Sequence, residues 1–83
     1  MSMFLFHFRN TISVMREFAK RLKELRTERK LSIAELSSVT GVNVASICRW
    51  ENNQNDAKGD QLILLAKFFN VTVGQLLGTE ELR

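Results

Sequence analysis

The sequence predicts an all-α fold, a small bundle of five helices, and three observations carry that prediction. Proline is absent and glycine occurs four times in 83 residues, so little in the chain interrupts a helix. Apolar residues from about Phe18 onward recur at helical rather than alternating spacing. Residues that cap helices stand at the borders of these apolar segments. An apolar content of 45% is that of a globular chain, and 83 residues allow one domain with a modest core.

Residues 1–15 form an N-terminal extension. In "MFLFHF", Phe4, Phe6 and Phe8 alternate with Leu5 and His7, which predicts a short strand; a disordered tail is the alternative. A lone strand has an unpaired edge, so it is expected to pair with a second copy or to pack across the first helix, supporting a homodimer. The run is short, is broken by His7 and lacks a preceding positive charge, so it does not read as an export signal. No apolar run approaches the roughly 20 residues needed to cross a bilayer.

The predicted domain covers 16–78. "REFAKRLKELRTERK" sets Phe18, Leu22 and Leu25 on one face of a helix over about 15–29. Ser32 with Glu35 three residues later is a capping box that starts a second helix, ending near Val39. Gly41 closes it, and Asn43 caps a third helix from Val44 to about Asn52. "NNQNDAKGD" reads as a loop, and Asp60 is expected to cap a fourth helix, "QLILLAKFF", central to the core. Thr72 caps a fifth, which buries Val73, Leu76 and Leu77 and ends at Gly78. Residues 79–83 are expected to fray.

The net charge is +3, but residues 16–30 hold seven of the twelve Lys and Arg against three acids. This predicts a local basic surface that attracts polyanions, with a solvated helix face as the alternative. The single cysteine, Cys48, cannot form an internal disulfide and fits a reducing cytoplasm. His7 has no partner at ligand spacing, so no metal is expected. No nucleophile–base pair or phosphate loop stands out, so neither an enzyme, a cofactor nor a small-molecule ligand is expected.

Two short helices joined by a Gly-containing turn suggest a DNA-binding unit. At about 100° per residue, Ile47 and Trp50 share the inward side of the third helix. Ala45, Arg49 and Asn52 lie opposite, with Cys48 at the edge and Val44 and Ser46 flanking. Arg49 is the one side chain there able to make two hydrogen bonds to guanine, whereas Val44 and Ala45 can only pack against a thymine methyl group. A solvated surface charge is the other reading of Arg49.

The pieces "LKELRTERKLS", "AELSSVTGVN", "SICRWENN" and "LLAKFFNVTVGQLLG" together resemble the Cro and phage-repressor type of helix-turn-helix, the XRE family. The resemblance implies a lambda-repressor-like bundle of five helices, usually in a dimeric, repressor-like transcriptional regulator that binds double-stranded DNA at an imperfect palindrome. It places base reading at Val44, Ala45 and Arg49 and phosphate contacts at Ser46 and Asn52. Where the family often has Gln, this chain has Ile33, which leaves phosphate gripping to backbone N–H groups beside Ser32. Asn53 stands where Gly is usual, and Ala57 where Pro is usual. The candidate DNA-binding set is thus Ser32, Ile33, Asn43, Val44, Ala45, Ser46, Arg49, Asn52 and Asn53. The resemblance also implies an ion pair between Arg26 and Glu51. The apolar reading face keeps a second function open, a protein-interaction module of the same fold acting as an antitoxin-like or coactivator-like adaptor.

Overall fold

A computed structural model describes residues 17–54 and 57–79 of the protein. The predicted N-terminal strand and most of the C-terminal tail lie outside the described residues. Within them the chain forms five helices: α1 over 17–28, α2 Ile33–Thr40, α3 Val44–Glu51, α4 Gly59–Phe69 and α5 Val73–Leu77.

Each helix gives one side chain to the centre. Leu22, Leu36, Ile47, Leu65 and Leu76 are all 0% exposed and lie in a single cluster, closed by Phe18, Leu25, Val42, Trp50 and Phe69. Within this arrangement α2 packs on both α3 and α4, and α4 packs on α5. No charged or polar residue among those described is buried in the core. The apolar helix α4 is less central than its composition suggests. Leu65, Ala66 and Phe69 face inward, whereas Ile63 and Leu64 are exposed.

Helix starts follow the cap residues with one exception. Ser32 Oγ accepts the Glu35 N–H at 3.0 Å, and Glu35 Oε1 accepts the Ser32 N–H at 2.8 Å. Thr72 and Gln75 exchange the same pair of bonds, each at 2.9 Å. At α4 the expected cap, Asp60, lies inside the first turn, and Lys58 takes the N-cap position. The Lys58 ammonium has no lone pair to offer, so Gln61 does the capping by accepting the Lys58 N–H at 3.1 Å. Asp60 Oδ1 accepts the Gln61 N–H at 2.9 Å.

Every helix ends at a residue in the left-handed conformation: Lys30, Gly41, Asn53, Asn70 and Gly78, with φ between 58° and 82°. Four of these ends share the Schellman pattern, in which two backbone N–H groups bond back to the last turn. In α1, Leu31 N–H donates to Arg26 O at 3.1 Å and Lys30 N–H to Thr27 O at 2.9 Å. The two glycines differ in surroundings. A Cβ on Gly41 would meet nothing within 4 Å, whereas one on Gly78 would lie 2.5 Å from Glu17 Cβ. Gly41→Ala is therefore expected to cost the left-handed penalty alone, about 1–2 kcal/mol. Gly78→Ala adds displacement of the start of α1 and should cost more. Urea midpoints of the two variants check this; equal midpoints would show that Glu17 yields freely.

Candidate nucleic-acid interface

The turn between α2 and α3 is built from short local bonds. Thr40 Oγ1 donates to Leu36 O at 2.7 Å and accepts the Val42 N–H at 3.2 Å. Val42, only 6% exposed, plugs the turn into the core. Asn43 then starts α3, its Oδ1 accepting the Ala45 N–H at 2.9 Å. With Ile47 and Trp50 buried, the phase of α3 is fixed: Ala45, Arg49 and Asn52 are exposed on its other side, and Val44 is exposed at the flank of the first turn. Ser46 and Cys48 are half-buried at the edges.

The polar members of this surface keep limited donor capacity. Asn43 has its carbonyl oxygen committed to the cap and retains its amide N–H groups. Asn52 Nδ2 donates to Cys48 O at 2.9 Å, which leaves one N–H to offer. Asn53 takes the left-handed position that ends α3, with φ 61°, the conformation for which Gly or Asn is suited. Ser32 Oγ accepts the Glu35 N–H, and its hydroxyl also interacts with the Glu35 carboxylate. Ile33 is half-buried with its side chain against the core, so its backbone N–H is the group it can offer at the start of α2. Glu35 also occupies that start. The backbone N–H and then the hydroxyl of Ser32 hold its carboxyl below the ordinary carboxylate range, so a negative charge already sits where an anion would dock.

The charge cluster on α1 departs from the basic surface expected. Arg21 Nη1 donates to Gln75 O at 2.8 Å, near the end of α5. Arg29 donates to Phe68 O at 3.0 Å and Phe69 O at 3.1 Å, capping the negative end of α4, and lies 5.2 Å and 5.3 Å from the centres of those two rings. Arg26 joins three segments. Its Nε and Nη2 donate to the two Glu51 carboxylate oxygens at 2.6 and 2.9 Å, and its Nη1 donates to Leu31 O at 2.7 Å. The Arg26 and Glu51 side chains are 12% and 6% exposed. The bonds to Glu51 raise the Arg26 guanidinium above its ordinary pKa, against the burial that lowers it. This bidentate pair fixes the end of α3 to α1 and to the segment before α2. The exposed lysines of this region are Lys20 and Lys23 on α1 and Lys30 just beyond its end; Arg29 is exposed as well but is held by its bonds to α4, and Glu24 and Glu28 are exposed among them.

Among the described arginines, then, Arg49 alone has no hydrogen bond or ion pair within the molecule. Charge counting could not separate it from the other three, because their backbone-carbonyl partners lie between 5 and 54 residues away in the chain, and only the Arg21–Glu17 ion pair, at 3.8 Å, is as local as four residues.

The helix-turn-helix family model matches residues 22–76. Two curated relatives align with most of the chain. The HTH-type transcriptional activator BcrR of Enterococcus faecalis is 35% identical over 66 residues, which is 80% of this chain and 32% of the relative. An uncharacterized HTH-type transcriptional regulator, YobD, of Bacillus subtilis (strain 168) is 30% identical over 61 residues, 74% of this chain and 54% of the relative. The chain therefore spans about a third and about half of the lengths of these two proteins. No solved structure gives a significant match.

Proposed function

Because this chain belongs to the helix-turn-helix family, matched over residues 22–76, we propose that it is a sequence-specific regulator of transcription that binds double-stranded DNA and reads the major groove with α3. The observation that carries this reading is Arg49. It is the uncommitted arginine of the described chain and stands exposed on the outward side of α3, where its fork can take guanine O6 and N7 together. Val44 and Ala45 meet base edges from the first turn of the same helix. Ser46 and Asn52 contact phosphate there, Asn43 and Asn53 do so at its two ends, and the Ser32 hydroxyl and Ile33 N–H do so at the start of α2. The protein acts in the cytoplasm as a homodimer, which sets two reading helices about one DNA turn apart on an imperfect palindrome. It carries out no catalysis.

Selection of sites from random duplex DNA, followed by titration at several salt concentrations, tests this. Wild type is expected to enrich an inverted repeat with a salt-sensitive affinity. Arg49→Ala should lose about 1–3 kcal/mol of specific binding and relax preference at one G·C pair. An unchanged specificity ratio would remove Arg49 from the reading role. The exposed Val39 and Val44 favour a second reading, the protein-interaction module. Under that reading no sequence is enriched, and partner binding is nearly indifferent to salt.

A further inference from the structure

We propose that the Val44–Ala45 step reads the 5-methyl group of a pyrimidine as such, so that thymine and 5-methylcytosine are equivalent ligands there and cytosine methylation alters binding. The inference rests on the DNA-binding reading above and names the chemistry of its ligand. Val44 is the first residue of α3 and is 44% exposed, with Ala45 exposed beside it. A helix that enters the major groove presents such N-terminal residues to base edges. Both side chains are hydrocarbon only. Two polar side chains border the step: Asn43, whose carbonyl oxygen is bound to the Ala45 N–H, and the half-buried Ser46.

A pyrimidine offers two features in the major groove. Thymine has an O4 acceptor and a 5-methyl group; cytosine has an N4 donor and no methyl. 5-Methylcytosine carries the donor of one and the methyl of the other. A hydrocarbon surface is blind to the difference between acceptor and donor and gains only by covering the methyl. Val44 is available for this, because it stands in the first turn of α3 at the flank of the face that Ile47 and Trp50 bury, and keeps 44% of its surface exposed. Covering one methyl-sized group corresponds to about a fourfold change in affinity.

The test uses the full chain and duplexes derived from the site that selection recovers. At the pyrimidine whose identity matters less in Val44→Ser, four duplexes are compared, carrying thymine, uracil, cytosine or 5-methylcytosine. Thymine against uracil and 5-methylcytosine against cytosine isolate the methyl within each base pair. Wild type is expected to bind the methylated member of each pair about fourfold tighter. Val44→Ser, at an exposed position, should bring both ratios close to one while keeping the guanine preference that depends on Arg49. Equal affinity of wild type for thymine and uracil, with Arg49-dependent binding intact, would overturn the inference alone. A thymine–uracil difference without a matching 5-methylcytosine–cytosine difference would overturn the equivalence and point to a polar group reading position 4. Failure of all four duplexes to exceed random DNA would remove the DNA-binding reading as well.

Discussion

Trp50→Ala is expected to destabilise the fold by about 3–5 kcal/mol, the usual cost of truncating a large buried aromatic ring. Trp50 is 3% exposed, and its ring tilts against Phe18 with the centroids 6.1 Å apart. It is therefore the side chain that clamps the reading helix to α1. A domain of this size has a total stability at or below the low end of about 5–15 kcal/mol, so the variant should be largely unfolded near physiological temperature. Urea titration followed by far-UV circular dichroism measures the shift. A folded variant with an unchanged midpoint would mean that α3 does not rest on the core through this ring. Loss of DNA binding should accompany the loss of fold, and a partial return of both at low temperature would identify stability as the cause.

Removing one member of the Arg26–Glu51 pair is the second large effect. Glu51→Ala leaves a guanidinium in a largely enclosed site with only Leu31 O as a partner, and is expected to cost about 3–5 kcal/mol. The pair as a whole contributes far less than that, because both charges give up water to form it. Replacing both partners, as in Arg26→Met with Glu51→Leu, should leave stability near that of wild type. What the double variant is expected to lose is geometry. The fork of hydrogen bonds sets the end of α3 against α1 and the segment before α2, and hydrocarbon contacts fix an angle less sharply. Stability near wild type together with weakened discrimination between matched and mismatched sites is the expected combination. A double variant as unstable as Glu51→Ala would show that the cost comes from lost packing rather than from the unpaired charge.

Much of the architecture was legible because it is written locally. Phe18, Leu22, Leu25, Ile47 and Trp50 declare their faces by spacing, and Ser32–Glu35 and Thr72 declare helix starts by side-chain chemistry. The start of α4 was displaced because Asp60 resembles a cap by type, while the cap is made from within the helix by Gln61. The ends at Lys30 and Asn70 gave little signal. In each case the next residue, Leu31 or Val71, packs on the core and pulls the preceding one into the left-handed conformation. At the candidate interface, the exposed face of α3 follows from helix phase alone. The division of the arginines into three that bind the protein's own carbonyls and carboxylates and one that does not depends on the fold. Seven cations in fifteen residues therefore look like a basic surface, although three of them are structural.

The left-handed residue that closes each of the five helices bears on how quickly the fold is reached. Each closure is made by bonds spanning at most five residues, and the side-chain caps at α2, α3 and α5 span two or three. Helix limits of this kind form on the timescale of local chain motion, before distant segments meet. The slower search is then confined to docking five preformed rods around one apolar cluster, in a topology dominated by neighbours in sequence. Helical domains of such low contact order cross their barrier in microseconds to milliseconds. A chain that folds this fast exposes its apolar faces only briefly during synthesis, which leaves little opportunity for them to aggregate.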